Sequence, residues 1–61
     1  MTTHDAETIE AMMRYGGKFA SAIGTAAKAG TREQFSILKQ SFPDLWKTYS
    51  KVARIINKLE S

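Results

Sequence analysis

The sequence predicts an all-α fold: a helical hairpin of one long N-terminal helix and a proline-kinked C-terminal helix, completed by homo-oligomerisation. Three observations predict it. Apolar residues recur at intervals of three and four along most of the 61 residues. A glycine followed by a capping box divides that pattern near residue 30. The apolar positions also outnumber what a single hairpin can cover.

The first element is expected over about residues 5–29. Ile9, Met12, Met13, Gly16, Phe19, Ala20, Ile23 and Ala27 fall within a sector of about 120° when residues are placed at helical intervals. Asp5, Glu7 and Glu10 suit the positive end of the helix dipole and Lys28 the negative end. Gly30 is expected to supply a left-handed cap.

Gly16-Gly17 lies inside this segment, where each glycine costs about 1 kcal/mol relative to alanine. One reading is close backbone approach, with Gly16, Ala20 and Gly24 forming a smooth strip for a neighbouring helix. The other is a break that ends one helix and restarts the chain at Lys18. The unbroken phase of the apolar stripe favours the continuous helix.

The second half opens with Thr31-Arg32-Glu33-Gln34, a capping box in which Thr31 caps the helix and Gln34 reaches back. Phe35, Leu38, Phe42, Leu45, Trp46, Tyr49, Val52, Ala53, Ile56 and Leu59 then continue the helical spacing. Pro43 interrupts it, because proline lacks an amide hydrogen and disfavours helical geometry at Phe42. Ser41 followed by Asp44 repeats the cap pattern. Helices are therefore expected over 31–41 and 42–60, with Phe42 as the pivot, in a single domain covering 1–61.

A domain of this length buries only about 60% of the surface its unfolded chain exposes, so a further source of stability is expected. The absence of cysteine excludes disulfides and thiolate metal sites. A lone histidine, His4, at a frayed-looking N-terminus falls far short of a metal site, so no metal and no cofactor are expected. Self-association remains, with an interface expected at Met12, Gly16, Ala20, Ile23, Gly24, Phe42, Val52, Ile55, Ile56 and Leu59. Met1–Asp5 has no basic start and no apolar core behind it, and no apolar run approaches about 20 residues. A cytoplasmic protein without a membrane partner is expected.

The formal charge is +3, and its excess lies in residues 31–61, which carry six basic and three acidic side chains. Lys47, Lys51, Arg54 and Lys58 follow one another at intervals of four, three and four along one helix face. That face is either an anion-binding rail or the solvated side opposite the apolar stripe. Trp46 and Tyr49 offer rings to stack a base, or else pack the core. Tyr15, Gly16, Gly17 and Lys18 offer exposed backbone to a ligand, although Gly16-Gly17-Lys18 lacks the strand, spaced glycines and hydroxyl residue of a phosphate loop. No pair of carboxylates, no cysteine and no serine beside a base is legible, so binding without enzymatic activity is expected.

The run Tyr15-Gly16-Gly17-Lys18-Phe19-Ala20-Ser21-Ala22-Ile23, followed by Phe35, Leu38 and Phe42-Pro43-Asp44-Leu45-Trp46-Lys47-Thr48-Tyr49, resembles small helical proteins of phage and prophage origin. These carry a Gly-Gly-x-Phe-x-x-Ala segment and then Phe-Pro-x-x-Trp-x-x-Tyr, and the similarity covers residues 15–53. The resemblance implies an anti-defence accessory protein in the bacterial host cytoplasm. Such a protein acts by sequestering a nucleotide-type immune signal between subunits, or by docking on a host defence protein. Other readings are a small DNA-binding protein using the basic face and a virion structural or assembly factor.

Overall fold

Chain direction is set by four helices, α1 (Thr3–Tyr15), α2 (Gly17–Ala29), α3 (Arg32–Ser41) and α4 (Pro43–Glu60). They belong to a computed structural model that describes residues 2–60. The radius of gyration, 10.7 Å, matches the about 10.5 Å of a compact chain of this length. The expected hairpin of one long and one kinked helix is thus replaced by four helices packed into one compact body.

The first correction lies at Gly16-Gly17, where the long N-terminal helix is two helices of 13 residues each. Gly16 ends α1, and Gly17 takes a φ of +71°, a conformation in which a side chain is strained. The chain then folds straight back on itself. A Cβ added at Gly24 stands 3.1 Å from Met13 Cγ and 3.2 Å from both the Ile9 carbonyl oxygen and Met12 Cβ, so α2 lies tightly against α1.

This explains why the apolar stripe keeps its phase across a break. Ile9 and Met12 of α1 and Ala20, Gly24 and Ala27 of α2 are all buried, the first half of the stripe supplying bulk and the second half room for it. One amphipathic segment folded at its middle covers most of its own stripe, while Phe19 stays 60% exposed. The small-residue strip does receive a helix, and that helix is the chain's own α1.

Gly30 differs from expectation too. It is extended, with φ −80° and ψ 171°, rather than left-handed, while its amide donates to the Ala26 carbonyl oxygen at 2.9 Å. The capping box after it forms as expected, with the Gln34 amide donating to Thr31 Oγ1 at 3.1 Å and the Thr31 amide to Gln34 Oε1 at 2.9 Å.

α3 ends at Ser41, so Ser41 is the last residue of that helix and not a cap for the next. Phe42, with φ −126° and ψ 59°, makes the corner, and its carbonyl oxygen accepts from the Trp46 amide at 3.3 Å. Pro43 opens α4, where a missing amide hydrogen is harmless. The Phe42 ring meets the Phe19 ring edge-on, with centroids 5.7 Å apart.

The core contains Ile9, Met12, Ala27, Phe35 and Trp46, with Met13, Ile23, Leu38, Leu45 and Tyr49 packed around it. Phe35 and Trp46 meet edge to face at 5.7 Å, an arrangement worth about 1 kcal/mol beyond the area buried. Among the described residues no helix is long and apolar enough to cross a membrane.

Candidate functional site

The first turn of α1, expected to fray, is tied into the fold by side-chain hydrogen bonds. Thr2 and Asp5 form a capping box: the Asp5 amide donates to Thr2 Oγ1 at 3.0 Å, and the Thr2 amide to Asp5 Oδ2 at 3.2 Å. Lys39 of α3 then donates to Asp5 Oδ1 at 3.1 Å, and the Lys39 ammonium also lies 5.9 Å from the Phe35 ring centroid. Burial pushes the Asp5 carboxyl up. The Thr2 amide and the Lys39 ammonium outweigh that and hold it below the usual carboxylate range.

His4, next to it, shares a 2.5 Å hydrogen bond with Ser50 of α4 through Nε2 and Oγ. Thr8, one turn on, is fully buried and donates from Oγ1 to the His4 carbonyl oxygen at 2.9 Å. These contacts seat the first turn of α1 against α3 and α4 and leave a cleft of about 350 Å³ between the three helices.

His4, Asp5 and Thr8 form one side of the cleft and Lys39 another. The α4 side carries Trp46, Lys47, Ser50, Lys51 and Arg54. Four cations thus face a single carboxylate, an excess of three positive charges at one cleft in a chain whose whole formal charge is +3. Such a concentration of exposed cations attracts anions.

Trp46 adds a second feature. Its side chain is 6% exposed, and its indole Nε1 has no hydrogen-bond partner among the described residues. A buried donor without a partner costs about 1–3 kcal/mol, and this one is closed off from solvent, so an acceptor reaches it only if the cleft wall shifts.

The structure brings together four of the expected ligand-binding residues, Trp46, Lys47, Lys51 and Arg54. It separates the others. Lys58 lies beyond the cleft near the end of α4. Tyr49 is half-buried against the core. Tyr15, Gly16, Gly17 and Lys18 sit at the α1–α2 turn, where Tyr15 is 57% exposed and lines a different groove. Trp46 does not present its ring for stacking, because that ring is buried against Phe35.

Of the expected interface residues, Met12, Ala20 and Gly24 lie inside the chain's own core, since the fold-back at Gly16 consumes them. Gly16 is part of the turn, Ile23, Phe42, Val52 and Ile56 are half-buried, and Ile55 and Leu59 stay exposed. Sequence reasoning missed His4, Asp5, Lys39 and Ser50. Thr2-x-x-Asp5 was readable as a capping box, whereas the His4–Ser50 pair spans 46 residues and leaves no local trace.

Among the described residues no group of three or more acidic or histidine side chains is placed to hold a metal ion. Comparison with protein-family models, with curated proteins and with solved structures finds no match, so the functional argument rests on the cleft itself.

Proposed function

We propose that this chain is a non-enzymatic binding protein that captures a small phosphate-bearing anion of nucleotide type in the cleft between α1, α3 and α4. The observation that carries the reading is the gathering of four cations around a cleft of about 350 Å³. Lys39, Lys47, Lys51 and Arg54 supply charge from two helices, and Trp46 lines the same cleft. With the Trp46 ring buried, the grip is on phosphate, and a base would extend outward.

Binding without chemistry is the reading that fits the Ser50–His4 pair. The carboxylate that could orient the imidazole, Glu7, is 4.0 Å from His4 Nδ1, outside hydrogen-bond range. Ser50 and His4 act here as polar ligands of the cleft wall. The wider role is what the sequence resemblance of residues 15–53 implies. Capture of a nucleotide signal in the bacterial cytoplasm would withhold it from a host defence system, and docking on a host defence protein is the variant of that role without a small ligand.

Calorimetric titration tests the reading, with inorganic phosphate, mononucleotides, cyclic dinucleotides and duplex DNA as probes. A phosphate-bearing small molecule should bind, and the double variant Lys47→Gln/Lys51→Gln should lose that binding. No heat with any small phosphate compound would overturn it. The second reading, DNA binding, is favoured by the placing of Lys47, Lys51 and Arg54 on one face over about 10 Å of helix. It predicts duplex binding with a log–log salt slope of about −2.7 for three phosphate contacts.

A further inference from the structure

We propose that two copies of the chain associate through α4, the Ile55–Leu59 edge of each copy entering an acidic groove between α1 and α4 of the other. This inference does not require the anion cleft to hold a ligand, although Lys51 belongs both to that cleft and to this edge. The groove, about 330 Å³, has an apolar floor that includes Ala11, Ala53 and Ile56. Glu7, Glu10 and Glu60 line it as well, against one cation, Arg14, which is tied to Glu10 at 2.7 Å. The groove is therefore apolar below and net negative above.

The chain carries the matching shape and charge on the same helix. Ile55 is 60% exposed and Leu59 81% exposed, one turn apart, and Lys51 precedes Ile55 by one further turn. An apolar edge beside a cation is what an apolar floor beneath carboxylates accepts. Ile56 and Glu60 of the groove lie about 100° around α4 from Ile55 and Leu59, so edge and groove occupy different faces of one helix. A two-fold axis alongside α4 lets each copy give the edge and receive it at once, which closes the pair and leaves no open end. Size points the same way. A chain of 61 residues with no cysteine is short of internal stabilisation, and a second copy would cover the most exposed large apolar side chain it has.

Light scattering and sedimentation equilibrium on the full chain decide the matter. The wild type should show about twice the 6.8 kDa chain mass at about 100 μM, in the range of a modest interface. Ile55→Lys and Leu59→Lys, at exposed positions that leave the fold intact by circular dichroism, should each raise the dimer dissociation constant about tenfold or more. Glu7→Lys should weaken the dimer as well. Ile37→Lys is the control, because Ile37 is 55% exposed on α3 and outside both edge and groove, and it should leave the dimer unchanged. A wild type at the single-chain mass, an unaffected dimer in Leu59→Lys, Ile55→Lys or Glu7→Lys, or equal disruption by Ile37→Lys would each overturn the proposal.

Discussion

Asp5 Oδ1 accepts from Lys39 Nζ at 3.1 Å, joining the first turn of α1 to the last turn of α3 across 34 residues of sequence. The Asp5 side chain is 12% exposed and that of Lys39 47%, so the pair is half-screened by solvent. Its value lies in combination, since the same carboxylate closes the Thr2 capping box.

Asp5→Asn keeps the shape of the side chain and removes its charge. The variant should be less stable by about 1 kcal/mol, which lowers the melting midpoint by about 4–8 °C in a domain of this size. Thermal unfolding followed by circular dichroism checks this, and an unchanged midpoint would show that the tie contributes nothing.

The same carboxyl sets a pH dependence. Its pKa is lowered in the folded chain by the Thr2 amide and Lys39, against the opposing effect of burial. A group whose folded pKa is depressed contributes stability that is present above its unfolded pKa of about 3.9 and is lost as pH falls through the folded value. Acid unfolding should therefore steepen below about pH 4 in the wild type and be shallower in Asp5→Asn. Urea denaturation at a series of pH values measures both limbs.

The fold-back at Gly16-Gly17 makes a prediction of sign. In a continuous helix, alanine at either position would stabilise the chain by about 1 kcal/mol. In the turn seen here, Gly17→Ala should destabilise by about 1–2 kcal/mol, because φ is +71° although no atom lies within 4 Å of the added Cβ. Gly16→Ala should cost more, since its Cβ would meet the Met12 carbonyl oxygen and stand 2.5 Å from Ala20 Cβ. Chemical denaturation of the two variants gives the order directly.

That turn also marks where sequence reasoning stops. Helical periodicity reports which face is apolar, and both halves of a helix folded on itself keep one face apolar. A fold-back with no phase shift is therefore silent to the pattern. The legible signal was the size sequence along the stripe, Ile9, Met12 and Met13 followed by Ala20, Gly24 and Ala27, which pairs large with small. The Thr31–Gln34 box, the restart at Pro43 and the core places of Phe35 and Trp46 were readable because each is local or strictly periodic. Half of the cleft was readable too, because Lys47, Lys51 and Arg54 recur at helical intervals on one helix. Its other half comes from Lys39 and the first turn of α1, which meet α4 only through tertiary packing.

Within the cleft, position should matter more than charge count. Lys51→Gln removes a cleft cation and Lys58→Gln removes one beyond it, with the same change in net charge. Affinity for a phosphate-bearing small molecule should fall about fivefold or more in the first and less than twofold in the second. Equal losses would mean that only the overall charge attracts the ligand.

The chain has one tryptophan, and hence one indole N–H resonance. Titrating isotope-labelled protein with inorganic phosphate and then with a nucleotide, while following that resonance by nuclear magnetic resonance, tests phosphate capture at the cleft most directly. A saturable downfield shift of the Trp46 indole proton, lost in Lys47→Gln/Lys51→Gln, is the predicted result. An indole resonance that stays in place at millimolar ligand would contradict the account.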